Sequence, residues 1–87
     1  MNVDDTLEQR GTRYGNYRKD VSRVAQALKD TLRSGAEWTS MDDDMKESLD
    51  LICNKISRIV NGDPWYHDSW HDIIGYARLV EERLERL

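Results

Sequence analysis

Phenylalanine is absent from this 87-residue chain, and cysteine and proline each occur once. The lone Cys53 excludes a disulfide framework or a cysteine-rich zinc site within one chain, and it fits a reducing compartment. No apolar run approaches the roughly 18 residues of a membrane span. The opening MNVDDTLEQRG is acidic and polar, unlike a secretory signal. A cytoplasmic protein that meets no membrane is therefore expected. Positive charge is also in deficit: 13 Lys and Arg stand against 17 Asp and Glu, a net charge of −4. That balance, with basic residues scattered along the chain, argues against a nucleic-acid groove. No nucleophile–base pair, P-loop or glycine-rich dinucleotide signature is present.

Charge and helical periodicity are what the chain does have. Charged residues make up 34% of it, and β-branched residues do not cluster into a credible strand. No repeat or linker divides the chain, so residues 1–87 read as one domain. Breakers at Gly11, Gly15, Gly35 and the pair Gly62 and Pro64 mark four segments. The first, DDTLEQRG, predicts a short helix capped by Asp4 or Asp5 and stopped at Gly11. Asn16 is placed to cap a second helix running to about Arg33, with Val21, Val24, Ala25, Leu28 and Leu32 on one face. Ser40, with Asp43 three residues later, suggests a capping-box start for the third. Its apolar stripe is Met45, Leu49, Ile52, Cys53, Ile56, Ile59 and Val60, and Gly62 ends it. The fourth starts between Pro64 and Asp68, with Trp70, Ile73, Ile74, Ala77, Val80 and Leu84 as its stripe. The expected fold is all-α: a compact helical bundle of three long helices and a short N-terminal one.

The polar faces allow two readings. At 100° per residue, Glu47, Asp50, Asn54, Arg58 and Asn61 share an arc of about 80°. Asp68 and Asp72 share a face with Gly75, Tyr76 and Leu79. Both faces suit plain solvation. Yet Leu51 and Leu79 intrude on them, and mid-helix Gly75 costs about 1 kcal/mol relative to alanine. A second buried surface is the other reading: a subunit interface in a homo-oligomer, a ligand cleft, or both. Carboxylates spaced i,i+3 on one helix and i,i+4 on another suit a hard cation such as Mg²⁺, which keeps waters and substrate phosphates. Lys55 and Arg58, further along the third helix, are candidates for those phosphates. Trp65 and Tyr66, in the loop after proline, are candidates for stacking on a base. Trp70 is expected in the core, Trp38 as a staple before the third helix, and Cys53 as a small buried hydrophobe. His67 and His71 are four apart, but surface or capping roles suit them better than a zinc site.

The stretches GTRYGNY, ICNKISRIVNGDP and DSWHDIIGYARLVEERL resemble a family of small phage and prophage proteins of unknown function, over nearly the whole chain. More distantly, the arrangement is similar to the MazG-like all-α nucleoside triphosphate pyrophosphatases. Those enzymes bind Mg²⁺ with a Glu-x-x-Glu pair on one helix and a Glu-x-x-Asp pair on a later one. The resemblance implies Glu47 and Asp50, then Asp68 and Asp72, as metal ligands. Asp50 stands where the pattern has glutamate, and the second pair is spaced by four instead of three. Two functions follow as expectations. One is a phage MazG-like protein that binds a nucleotide with Mg²⁺, with cleavage of its α–β phosphate bond as the further step. The other is a non-enzymatic phage module that binds a host protein or sequesters a nucleotide.

Overall fold

The helical periodicity is realised as four α-helices in a computed structural model that describes residues 3–87. They are α1 (Val3–Tyr14), α2 (Ser22–Arg33), α3 (Asp43–Asn61) and α4 (His67–Leu84). A π-helical turn, Tyr17–Val21, leads into α2, and a 3₁₀ turn, Trp38–Ser40, precedes α3. Among the described residues there is no strand, so the fold is all-α.

Three local expectations need correction. The first helix is not short: it runs through Gly11 to Tyr14, as long as α2, and Asp4 and Asp5 lie within its first turn instead of capping it. Helix propensity at one glycine is a weak brake when the next turn is held from elsewhere, and here the Arg13 carbonyl accepts from the Asp63 amide at 2.6 Å. Ser40 does not cap α3. Its hydroxyl donates to the Glu37 carbonyl at 2.8 Å inside the 3₁₀ turn, and Asp42 occupies the N-cap position. Trp70 is not in the core. It is 53% exposed, held by its indole N–H donating to the Pro64 carbonyl at 2.8 Å. Asn16 does cap the second helical segment, its side-chain oxygen accepting from the Lys19 amide at 2.8 Å. The guanidinium of Arg33 lies 5.0 Å from the Trp38 ring centre, which ties the 3₁₀ turn back to α2.

Helix α3 is the centre of the fold. It packs along α4 on one flank and against α2 and the π turn on another, while α2 and α4 form no packed interface with each other. Val21, Ala25, Cys53 and Ile59 are the buried apolar side chains. Ser57 is fully buried on the α2 flank, where its hydroxyl donates to the Val21 carbonyl at 2.6 Å. That bond ties α3 to the junction of the π turn and α2.

The two glycine-bearing motifs meet each other. Gly15 has φ of +89°, which ends α1, and a Cβ there would lie 2.2 Å from the Asn61 carbonyl oxygen. A Cβ on Gly62 would lie 2.2 Å from the Arg13 carbonyl oxygen and 2.5 Å from Tyr14 backbone atoms. The Tyr-Gly-Asn and Asn-Gly-Asp-Pro stretches are therefore two halves of one backbone-to-backbone crossing. It fixes the end of α1 over the end of α3.

Candidate functional site

That crossing brings aromatic rings and basic side chains to one place. Tyr14, the last residue of α1, is half-buried, with the guanidinium of Arg58 4.9 Å from its ring centre, that of Arg10 at 5.5 Å and the Lys55 ammonium at 5.8 Å. Tyr66 meets the Tyr14 ring edge-on at 6.0 Å between centroids. Arg13 lies over Tyr66 at 4.8 Å and donates to its hydroxyl at 3.0 Å. Cations over electron-rich faces are favourable contacts, and they bring positive charges closer together than repulsion alone would allow.

Beside this cluster is a cleft of about 700 Å³. Arg10, Arg18 and Arg58 line it, with Tyr14 and Tyr17 and the apolar Leu7 and Val21; no carboxylate does. Among the described residues none of the three arginines is in an ion pair. In a chain of net charge −4, that is a local reversal of sign. Tyr17, at the start of the π turn, is 74% exposed. A Cβ at Gly11, which also lines the cleft, would meet nothing within 4 Å.

The four carboxylates singled out in the sequence are not gathered. Among the described residues no three of His, Cys, Asp and Glu lie close enough to hold a metal ion. Asp50 takes both guanidinium nitrogens of Arg33, at 3.1 and 3.0 Å, across to α2. Asp72 pairs with the buried Lys55 at 2.7 Å. Asp68 accepts from the Tyr66 hydroxyl at 3.0 Å, which pulls its carboxyl below the ordinary value and pushes the phenol up. Glu47 is exposed. A Mg²⁺ site wants free oxygens converging on one point. Here two of the four are neutralised by cations on different helices, so this donor set does not fit the ion, and no step through it is derived.

The remaining candidates divide in the same way. Arg58 stands in the cleft, whereas Lys55 is committed to Asp72. Trp65 is 87% exposed on the loop, while Tyr66 is engaged by Arg13, Tyr14 and Asp68. His67 and His71 share one face of α4, their rings stacked at 5.7 Å. Cys53 is buried, and that burial pushes its thiol up, as suits a small hydrophobe and not a nucleophile. Gly75 is exposed and a Cβ there would meet nothing within 4 Å, so its place in α4 reflects no close contact inside the chain. Arg10, Arg18 and Tyr17 escaped the sequence reading. One signal was available there: Arg10 and Tyr14 are four apart, on one face of α1.

Fold and cleft together define a small all-α protein with an arginine-lined cleft beside an open helical layer. Residues 3–84 match the family model described as Domain of unknown function (DUF6378), and the chain belongs to that family. No curated protein and no solved structure matches the chain.

Proposed function

We propose that the protein binds a phosphate-bearing small molecule, a nucleotide, in the cleft between α1, the π turn and α3. The observation that carries this is the concentration of Arg10, Arg18 and Arg58, without ion-pair partners among the described residues, in a cleft that no carboxylate lines. Guanidinium forks match phosphate oxygens in pairs, and Arg is favoured over Lys where planar recognition matters. Tyr14, Tyr17, Leu7 and Val21 offer the opposite chemistry, a surface for a base. The cleft volume lies within the range of small-molecule sites. A nucleotide is also the ligand class to which the MazG-like resemblance points. The reading is one of binding: no hydrolytic step is assigned, because Asp50 and Asp72 are engaged by Arg33 and Lys55 and the four carboxylates are not gathered.

Calorimetric titration with nucleoside triphosphates, nucleosides and inorganic triphosphate, each with and without MgCl₂, tests it. Nucleotides should bind, nucleosides at least tenfold more weakly, and affinity should fall as salt rises. Arg18→Gln and Arg58→Gln should each weaken binding about tenfold, the loss of one charge-assisted contact, with an unchanged far-UV circular dichroism spectrum. Absence of binding at millimolar ligand would overturn the reading. MgCl₂ and NaCl at matched ionic strength should shift the melting temperature of the free protein equally. Metal-dependent turnover of any nucleotide would restore the pyrophosphohydrolase reading. The alternative, a non-enzymatic module that docks a host protein, draws on the apolar surface of α3 and α4. It becomes the better account if no phosphate compound binds.

A further inference from the structure

The ion pairs Lys55–Asp72 and Asp44–Arg83 mark one edge of the seam between α3 and α4. Around each helix from that edge, at 100° per residue, the opposite edge carries Ile56 and Val60 on α3 and Trp70, Ile74 and Ala77 on α4. That edge is open to solvent: Ile56 is 36% exposed, Val60 63%, Trp70 53% and Ile74 65%. Beyond it, on the far side of α3, stands α2 with half-buried Val24 and Leu28. The three helices thus form a trough with an apolar floor, facing away from the arginine cleft.

The whole molecule carries the mark of this opening. Its accessible surface is 6399 Å², whereas a folded monomer of 10.2 kDa is expected to expose roughly 5300 Å². Its radius of gyration is 14.7 Å, against about 12 Å for a compact chain of this length. Part of the excess belongs to α1, which has no buried residue. The open edge of α3 and α4 contributes to the rest. The excess, about 1100 Å² before the share of α1 is taken off, is of the order that one partner loses in a standard interface, about 800 Å².

We infer that the trough is closed by a second copy of this chain. Val21, Ala25, Cys53 and Ile59 make a meagre buried core, and among the described residues no leucine, methionine or tryptophan joins them. A core of that size is small against the backbone entropy of an 87-residue chain. The missing apolar surface must then be present whenever the chain folds, and another copy of the chain is the molecule always at hand. Two antiparallel α3/α4 pairs laid face to face about a twofold axis form a four-helix bundle, with Ile56, Val60, Trp70 and Ile74 of each copy inside. Glu81 and Glu85 follow Ala77 on the same face of α4, one and two turns on, so their ion-paired group with Arg78 ends the apolar stripe on its C-terminal side. This inference rests on the apolar side alone and stands apart from the nucleotide reading.

The test is sedimentation equilibrium and thermal melting of the full chain from about 1 to 200 µM, for wild type, Ile74→Glu and Leu79→Glu. Both side chains are about equally exposed within one chain, 65% and 63%, on opposite edges of α4. Wild type should have the mass of two chains, or an even multiple, with a melting temperature that rises with concentration. Ile74→Glu should weaken association at least a hundredfold, and Leu79→Glu should leave it unchanged. A wild type that is monomeric and folded throughout the range overturns the inference. So does a trimer, or dissociation caused by Leu79→Glu and not by Ile74→Glu.

Discussion

Gly15→Ala is expected to be among the most damaging single-methyl additions in this protein. Two costs combine. The residue sits at φ of +89°, where an L side chain costs about 1–2 kcal/mol. Its new Cβ would lie 2.2 Å from the Asn61 carbonyl oxygen and 2.7 Å from the carbonyl carbon, so backbone has to move. The same crossing holds the Asp63 amide against the Arg13 carbonyl, and loosening that bond costs a further 0.5–1.5 kcal/mol or so. The sum is about 2.5 kcal/mol, a large share of the 5–15 kcal/mol typical of a folded domain. At 4–8 °C per kcal/mol for a domain of this size, the melting temperature should fall by roughly 10–20 °C. Gly11→Ala, at a site where a Cβ meets nothing within 4 Å, is the matched control and should gain up to about 1 kcal/mol. Gly15→Asn separates the two costs, because asparagine tolerates the left-handed region but still brings a Cβ. Melting by far-UV circular dichroism at one protein concentration reads all three. If Gly15→Ala melts within 2 °C or so of wild type, against the shift expected for this size, the crossing does not hold the two motifs as described.

Ser57→Ala should lower the urea midpoint by the equivalent of about 0.5–1.5 kcal/mol with an unchanged slope, because it removes the buried hydrogen bond from α3 to the Val21 carbonyl. Arg83 holds Asp44 below its ordinary value of 3.8, chiefly through a hydrogen bond. A carboxyl more acidic in the folded than in the unfolded chain lends stability that is complete above the unfolded value and is lost as pH falls through the folded one. Arg83→Gln should therefore flatten the loss of stability seen in melts as pH falls below about 4, the unfolded carboxylate value. A variant whose acid limb parallels wild type would show that the pair contributes nothing to pH dependence. Gly75→Ala should raise stability by about 1 kcal/mol through helix propensity, read as a higher melting temperature. A lower one would mean that some other backbone approaches this face.

Helix number and approximate bounds were legible in the sequence because they depend on neighbours a few residues apart. The stripes on α2 and α3 announce helices through spacing alone, and Asn16 announces a cap through its own short side chain. The start of α3 was misread because Ser40 and Asp43 fit a capping pattern that a 3₁₀ turn pre-empts. The α4 stripe was legible as apolar but not as open. Periodicity identifies which residues share a face, and it is silent on whether anything covers that face. Arg58 could be picked out as a phosphate ligand from its position on α3. Its partners Arg10 and Arg18 belong to other segments, and no spacing rule connects them to it.

The sequence by itself determined an all-α class and the family to which the chain belongs, and among the described residues no helix is long and apolar enough to cross a membrane. These follow from composition and short-range periodicity, which act before any long-range contact forms. Only the tertiary structure decided that Gly15 and Gly62 serve one crossing, that Asp50 and Asp72 are committed to Arg33 and Lys55, and that three arginines meet in a cleft no carboxylate lines. The reason is physical: a charge's partner, and therefore its availability to a ligand, is set by distances between side chains that lie up to 48 residues apart in the chain, as for Arg10 and Arg58. Packing alone fixes those distances.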